Sequence, residues 1–142
     1  MIRYENELCL QAEEFVDCLI RSTLAERRPV DDLQRIEGML RHSNLIITAR
    51  SETGLLIGVS RAITDFFYCT YLSDLAVDVA YQRTGIGREL ISRTHQQAGH
   101  STTLILLAAP KAESYYPHIG MTRHQSAWIT PRLEGTSKPT HE

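Results

Sequence analysis

The chain has 142 residues, of which 42% are hydrophobic and 23% are charged, and its formal net charge is −2. This composition is typical of a single folded domain and excludes an intrinsically disordered chain. The fifteen lysines and arginines are spread along the sequence. Because a nucleic-acid-binding surface requires a clustered basic stripe, we expect no nucleic-acid partner.

The three cysteines and six histidines show no spacing typical of metal ligands or of a disulfide framework. We therefore expect neither a metal site nor a disulfide. The sequence begins without an apolar signal region, and no apolar run approaches the roughly 18 residues of a membrane span. These features predict a cytoplasmic protein that does not associate with a membrane.

The first half of the chain predicts two helices followed by three strands. Apolar residues recur at helical spacing over residues 8–24, and a second helical pattern begins at Leu33, with Asp31 or Asp32 as its cap. Apolar, β-branched segments then predict strands over residues 44–50, 55–63 and 66–79, the last of them kinked. Gly58, inside the second strand, indicates a bulge or a close approach of another element.

The second half predicts a strand–helix–strand arrangement. Helical spacing returns over residues 85–98, with Gly99 as a C-terminal cap, and the continuous apolar run over residues 102–109 is typical of a buried, partly parallel strand. Further on, the sequence predicts a short helix over residues 112–116 that ends at Pro117, a last strand over residues 125–130 and a polar tail over residues 132–142.

This order of elements predicts an α/β (α+β) fold with a mixed, mostly antiparallel central sheet that is flanked by helices. We expect residues 1–131 to form one domain, which the polar tail follows.

The loop Gln82-Arg83-Thr84-Gly85-Ile86-Gly87 joins a predicted strand to a predicted helix. The first turn of a helix has unpaired N–H groups and a partial positive charge, and glycines let a phosphate approach the backbone, so the loop suits a pyrophosphate. A P-loop is excluded because Arg88-Glu89, and not Lys-Ser/Thr, follows the last glycine. A Rossmann turn fits poorly because Leu90 stands where it needs a third glycine. The glycines alone also fit an ordinary glycine-rich helix start.

The residues around the loop make the pattern more specific. The string Val77-Asp78-x-x-Tyr81-Gln82-x-x-Gly85-Ile86-Gly87-x-x-Leu90 closely resembles the acetyl-CoA signature of the GNAT superfamily, the Gcn5-related N-acetyltransferases. The core of that signature is Arg/Gln-x-x-Gly-x-Gly/Ala. A second segment, from Ala112 through Tyr115-Tyr116 to Gly120-Met121, is similar to the family's Ala-x-x-Phe/Tyr-Tyr-x-x-x-Gly-Phe. The resemblance covers roughly residues 10–130 and implies a single N-acetyltransferase domain with a strand–helix–strand core that binds acetyl-CoA.

The resemblance implies how acetyl-CoA, the co-substrate, binds. The strand Leu75-Ala76-Val77 would pair with the pantetheine arm, and the Val77 N–H would face the thioester carbonyl, where it can stabilise an oxyanion. The backbone of residues 83–88 would hold the pyrophosphate, and Gln82 would shape the loop. The implied cofactor-binding residues are thus Leu75, Ala76, Val77, Gln82, Arg83, Thr84, Gly85, Ile86, Gly87 and Arg88.

Transfer of an acyl group to an amine requires an acid for the leaving thiolate and a route for the amine's proton. By resemblance, Tyr116 is the acid, although it could instead be a core aromatic paired with Tyr115. Asp74, just before the pantetheine strand, is the candidate base, and the alternative is a structural, hydrogen-bonded aspartate. His118 or a chain of water molecules could also accept the proton. Cys69 is interpreted as a buried small residue and not as a nucleophile.

The predicted function is therefore N-acetylation of a primary amine by direct attack in a ternary complex. The alternative is a non-catalytic acyl-CoA-binding or sensory module. The acceptor cannot be read from the sequence, and a small amine, an amino acid or a peptide end is expected. A homodimer is possible in such folds.

Overall fold

The structure is a computed structural model that describes residues 1–133, apart from the side chain of Lys111. The chain divides into two compact units, the first of which is Met1–Leu107 and the second of which begins at Ala108. The predicted single domain over residues 1–131 stays a prediction, and residues 134–142 of the predicted tail lie outside the described residues.

The first unit contains a five-stranded sheet whose strands follow chain order across the sheet. The first four strands are antiparallel to their neighbours, and the fifth runs parallel to the fourth. The strands are β1 (Arg3–Asn6), β2 (Leu45–Arg50), β3 (Leu56–Thr64), β4 (Cys69–Val77) and β5 (Thr103–Ile105). This mixed, mostly antiparallel sheet with flanking helices confirms the predicted fold class.

Two helices pack on one apolar cluster of the sheet, and a third packs on another. α1 (Ala12–Ser22) and α2 (Leu33–Arg41) share a cluster with sheet residues such as Val59 and Ala76. α3 (Ile86–Ala98) packs on a separate cluster through Ile86 and Leu90. Since side chains alternate across a strand, the two clusters lie on opposite faces of the sheet.

The three helices confirm the helical spacing of the sequence, and their ends follow from local chemistry. Asp32 caps α2 by accepting a hydrogen bond from the Arg35 N–H at 3.0 Å, as one of the two predicted caps. Gly99 ends α3 with a φ of 107°. α1 is shorter than the predicted 8–24 helix, because a turn closed by the Leu10 N–H and the Glu7 carbonyl precedes it and Thr23 ends it with a φ of 73°. The sequence does not predict β1, since Arg-Tyr-Glu-Asn has no apolar alternation.

Gly58 is a point of close approach, as predicted, and it lies beside a register shift between β2 and β3. A Cβ at Gly58 would lie 3.1 Å from Ile86 Cγ2 and 3.1 Å from Leu90 Cδ1. The missing side chain therefore lets α3 pack closely on β3, which fixes the N-terminus of α3 near the end of β4.

Two predicted strands are shorter in the structure. The predicted 66–79 strand begins at Cys69, because the Asp65 carboxylate accepts hydrogen bonds from the N–H groups of Phe67, Tyr68 and Cys69 and closes a turn. The predicted buried strand over residues 102–109 is wrong in length and burial. β5 has three residues, and Leu107, beyond it, is half exposed, because β5 is an edge strand that pairs with only the start of β4 within the described chain.

The second unit contains a 3₁₀ turn (Pro110–Ala112) and α4 (Tyr115–His118). The prediction of a helix over residues 112–116 that ends at Pro117 is wrong in its bounds, because proline is tolerated in the first turn of a helix, where its missing N–H is not needed. The predicted strand over residues 125–130 is also wrong: none of the described residues after α4 forms a strand, and Trp128 is 91% exposed. A β-branched segment needs a pairing partner, which local sequence does not supply.

Candidate functional site

The edge of β4 that faces β5 is unpaired over its second half. β5 pairs with Cys69–Tyr71 of β4, and the last pair in this register is Tyr71 with Ile105. In the described part of the chain, no strand lies beside β4 from residue 72 to residue 77 on this side. We call this stretch the open edge. A sheet edge of this kind presents N–H and C=O groups that can pair with an extended ligand.

The register between β3 and β4 determines which backbone groups point to the open edge. The Asp78 N–H donates to the Ile57 carbonyl at 2.8 Å, so the adjacent pair, Gly58 and Val77, is not hydrogen-bonded to each other. The N–H and C=O of Val77 therefore point away from β3, toward the open edge. Leu75, two residues earlier on the same strand, has the same orientation.

Gln82 contacts the open edge directly. Its side-chain amide donates a hydrogen bond to the Val77 carbonyl at 3.0 Å. This bond satisfies the Val77 acceptor and leaves its N–H as the group presented for a ligand. It also ties the loop that contains Gln82 to the end of β4, so the loop and the open edge form one continuous surface.

A partly buried ion pair fixes the turn that follows β4. The Asp78 carboxylate accepts a hydrogen bond from the Ala80 N–H at 2.8 Å and caps the 3₁₀ turn over Val79–Tyr81. Its other oxygen accepts from Arg21 of α1 at 2.5 Å, and Arg21 also donates to the Leu56 carbonyl at 2.6 Å. The position of the loop after β4 therefore depends on α1 as well as on β3.

The loop turns into α3 through two residues with left-handed backbone. Arg83 has a φ of 66° and Gly85, the N-cap residue, has a φ of 89°. No side chain caps α3, and the first intrahelical bond at Gly85 is donated by the Glu89 N–H at 3.0 Å. The amides of residues 86–88 thus have no intrahelical acceptor. Exposed Arg88 adds positive charge, so this helix end is suited to an anionic group.

Asp74 is fully buried and bonded to two arginines. Arg28 Nε, from the segment before α2, donates to Asp74 Oδ1 at 2.5 Å, and Arg61 Nε of β3 donates to Asp74 Oδ2. Arg28 also donates to the Ser73 carbonyl at 2.8 Å, and Arg61 donates to the Ser73 hydroxyl at 3.0 Å. Ser73 is the residue at which the register of β4 shifts against β3, which is the predicted kink. The cluster anchors the segment before α2 to this bulge.

Tyr116 belongs to the second unit. Its ring packs edge-to-face against Tyr115, with centroids 5.3 Å apart, and burial raises the pKa of its hydroxyl above the usual 10.0. Gly120 follows α4 with a φ of 92°, and the Gly120 and Met121 N–H groups bond back to Pro117 and Tyr116 in a Schellman motif. The glycine of the second sequence motif therefore ends the helix that presents Tyr116. His118 is exposed.

Cys69 is exposed in the structure, and its thiol donates to the Asp65 carboxylate at 3.8 Å, so the prediction of a buried cysteine is wrong. Among the described residues, no group of three or more histidine, cysteine or acidic side chains lies close enough together to hold a metal ion. The described helices are all too short or too polar to cross a membrane.

The structure thus brings Leu75, Ala76, Val77 and residues 82–88 together in one region, with Asp74 beside it. Sequence reasoning missed Arg21, Arg28 and Arg61, which hold this region in place. Arg61 offered a signal, since it is a charged residue inside an apolar strand, and such residues require a buried partner. Arg21 and Arg28 offered none, because their partners are distant in sequence.

Comparison with known proteins identifies the family. A family model described as an acetyltransferase (GNAT) domain matches residues 21–129. Among curated protein sequences, none matches this chain significantly.

Solved structures with the same fold include a GNAT-family acetyltransferase from Streptococcus pneumoniae, which is 21% identical with a TM-score of 0.68 over 93% of this chain and 100% of that one. The aminoglycoside acetyltransferase meta-AAC0020 from an uncultured soil metagenomic sample, in complex with sisomicin, is 18% identical with a TM-score of 0.70 over 94% and 97%. The aminoglycoside N-acetyltransferase AAC(6')-Iy, in complex with CoA, is 15% identical with a TM-score of 0.71 over 94% and 95%. The matching family model and the shared fold show that this chain belongs to the GNAT acetyltransferase family.

Proposed function

We propose that this chain transfers the acetyl group of acetyl-CoA to a primary amine of a small-molecule acceptor, by direct attack in a ternary complex. Membership of the GNAT family supports acyl transfer in general. The observation that carries the finer proposal is the open edge of β4, which leads directly into an uncapped helix N-terminus. An extended arm and a pyrophosphate are the two parts of CoA that such a surface would accept.

The donor fits the residues present. Leu75 and Val77 present backbone N–H and C=O groups at the open edge, where the amides of a pantetheine arm would pair with them. The free amides of residues 86–88 and the helix dipole would hold the pyrophosphate. Gly85 has a left-handed backbone, and nothing lies within 4 Å of the position that a side chain would occupy on its Cα.

When bound, acetyl-CoA supplies an activated thioester, and the protein's own groups act around it. The Val77 N–H would donate to the thioester oxygen and stabilise the negative charge that develops there. Tyr116 would donate its phenolic proton to the leaving sulfur. The raised pKa of Tyr116 keeps the phenol protonated at neutral pH, which is the form that an acid requires.

The base function that the sequence predicts for Asp74 stays a prediction, and the contacts of Asp74 favour the structural alternative. Both of its oxygens accept from guanidinium N–H groups, and the carboxylate is fully buried. An amine or a water molecule would have to displace an arginine to reach it. We therefore propose that Asp74 is a positioning residue and that water carries the amine's proton to solvent.

A thiol-release assay with acetyl-CoA and a broad panel of primary amines tests the proposal, with mass spectrometry to identify the acetylated product. We expect release that depends on both the enzyme and one class of amine. Saturable CoA binding without release for any amine would instead support the non-catalytic acyl-CoA-binding module. If the protein shows no CoA binding and no thiol release, the proposal is refuted. A cytoplasmic location and a homodimer stay predictions.

A further inference from the structure

The cluster of Arg28, Asp74 and Arg61 contains two guanidiniums and one carboxylate. The ion pairs that the two arginines form both go to Asp74. Their other hydrogen bonds go to neutral acceptors, namely the Arg27 and Ser73 carbonyls and the Ser43 and Ser73 hydroxyls. The three side chains together therefore carry one excess positive charge at the bulge of β4.

The excess charge is accessible on the side of Arg28. The Arg28 side chain is 22% exposed, whereas that of Arg61 is 7% exposed and that of Asp74 is fully buried. A guanidinium has five N–H donors. The bonds from Arg28 to Asp74, Arg27 and Ser73 use three of them, so two remain for a ligand. A carboxylate, like a phosphate, accepts paired, charge-assisted hydrogen bonds from a guanidinium.

The position of Arg28 relates it to the proposed reaction. Arg28 is bonded to Ser73, and Val77, the proposed oxyanion donor, lies four residues along the same strand, which is about 13 Å at the usual rise per residue. An amine that attacks near Val77 while its other end contacts Arg28 would span most of this distance. Two of the Arg28 bonds, to Asp74 and to the Ser73 carbonyl, hold the segment before α2 against the bulge.

We propose that the acceptor is a primary amine that also carries a carboxylate at a distance, such as a short peptide, and that Arg28 binds this carboxylate. The inference rests on the proposed function and names the substrate class of that site. The same local charge would disfavour a cationic group on the acceptor next to Arg28.

The test compares pairs of acceptors that differ only in the carboxylate. 6-Aminohexanoate, glycylglycine, triglycine and tetraglycine, whose extended lengths approach the distance between Val77 and Arg28, are each assayed against the corresponding amide, and kcat/KM is measured for wild type, Arg28→Gln and Arg28→Lys. Arg27→Gln is the matched control, since Arg27 is the exposed neighbour in sequence and its loss changes the net charge equally. The acid-to-amide ratio in each variant is divided by that of wild type, so differences in amine basicity cancel.

We expect wild type to prefer the acid of at least one pair. We expect Arg28→Gln to reduce that acid-to-amide ratio by about tenfold or more, because one charge-assisted hydrogen bond to the carboxylate is lost and any structural effect lowers acid and amide alike. Arg27→Gln should leave the ratio unchanged. An equal fall for acid and amide would show a purely structural arginine and overturn the inference. If Arg28→Gln fails to fold, the acid-to-amide ratio of Arg28→Lys and the preference of wild type serve as the test. A wild type that transfers the acetyl group without preferring the acid of any pair overturns the inference. Transfer to no amine at all, despite CoA binding, would refute the proposed function as well.

Discussion

Replacing Asp74 with asparagine separates its two possible roles. Among the described residues, Asp74 is the only acidic side chain that forms an ion pair with Arg28 or Arg61, and the substitution removes its charge. Breaking a buried ion pair costs about 3–5 kcal/mol, and the partial exposure of Arg28 puts the expected loss near the lower end, at about 3 kcal/mol. For a chain of this length, each kcal/mol lowers Tm by roughly 3–4 °C, so we expect Tm to fall by about 10 °C.

The assay is thermal unfolding, with steady-state kinetics measured well below the lowered Tm. Asp17→Asn is the matched control, because Asp17 also pairs with an arginine, at 3.0 Å, but is 60% exposed. An exposed pair of this kind contributes only about 0.3–0.5 kcal/mol, so the control should shift Tm by about 1–2 °C. The Asp74 variant should retain the acidic limb of the wild-type pH–rate profile, because a positioning residue does not accept the amine's proton.

The opposite pattern would refute this reasoning. If Asp74→Asn leaves Tm unchanged but lowers kcat by more than about a hundredfold and removes the acidic limb of the profile, Asp74 is the general base that the sequence predicts. The account of the cluster as an anchor would then be wrong.

Other substitutions test separate parts of the structure. Tyr116→Phe should lower kcat at least about tenfold, with the CoA affinity unchanged in calorimetry. Because burial raises the pKa of the Tyr116 phenol, the wild-type rate should fall only above pH 10. A loss in kcat of less than about threefold would exclude the acid role. Gly85→Ala should weaken CoA binding and lower the free energy of unfolding by about 1–2 kcal/mol, because its φ of 89° strains any side chain, and unchanged binding would contradict the loop assignment. Gly58→Val should lower the free energy of unfolding by about 1–3 kcal/mol, because the new side chain overpacks against α3. Gly38→Ala in α2, where nothing lies within 4 Å, should raise it by about 0.5–1 kcal/mol. Both are measured by denaturant unfolding, and equal effects would contradict the packing of α3 on Gly58. Asp65→Ala should destabilise the protein at pH 7, as measured by urea unfolding. Three backbone N–H groups lower the pKa of Asp65 to about 2, so the difference in stability between wild type and variant should vanish as the pH falls from about 4 to about 2. A difference that does not change with pH would exclude a charged cap.

The elements predicted from the sequence are those with a strong local pattern. The three long helices have apolar faces at helical spacing, and Asp32 and Gly99 mark two of their ends with side-chain and backbone chemistry that acts within one turn. The central strands are apolar and flanked by turn residues. β1 has neither feature, because an edge strand of polar residues is defined by its partner β2 and not by its own composition.

The second unit shows the limit of local patterns in the other direction. Residues 125–130 include Trp128, Ile129 and Thr130, which favour strands, yet they form none. A strand exists only where another strand supplies hydrogen bonds, and that partner cannot be read from six residues.

The candidate site divides in the same way. Residues 82–88 could be proposed from the sequence because the binding predicted for them uses backbone groups at a helix start, which glycines indicate. The buried partners of Asp74 and Asp78 do not follow, since Arg28 lies 46 residues from Asp74 and Arg21 lies 57 residues from Asp78. Only the fold shows that these carboxylates hold the site's segments together.

The most direct test of the donor site is a titration of ¹⁵N-labelled protein with acetyl-CoA, followed through the backbone amide resonances. The account predicts that the largest shifts fall on Leu75, Val77 and residues 83–88, because their N–H groups would bond to the ligand. Saturable binding that leaves these amides unshifted, with the changes located elsewhere in the chain, would contradict the assignment of the open edge and the α3 N-terminus as the CoA site.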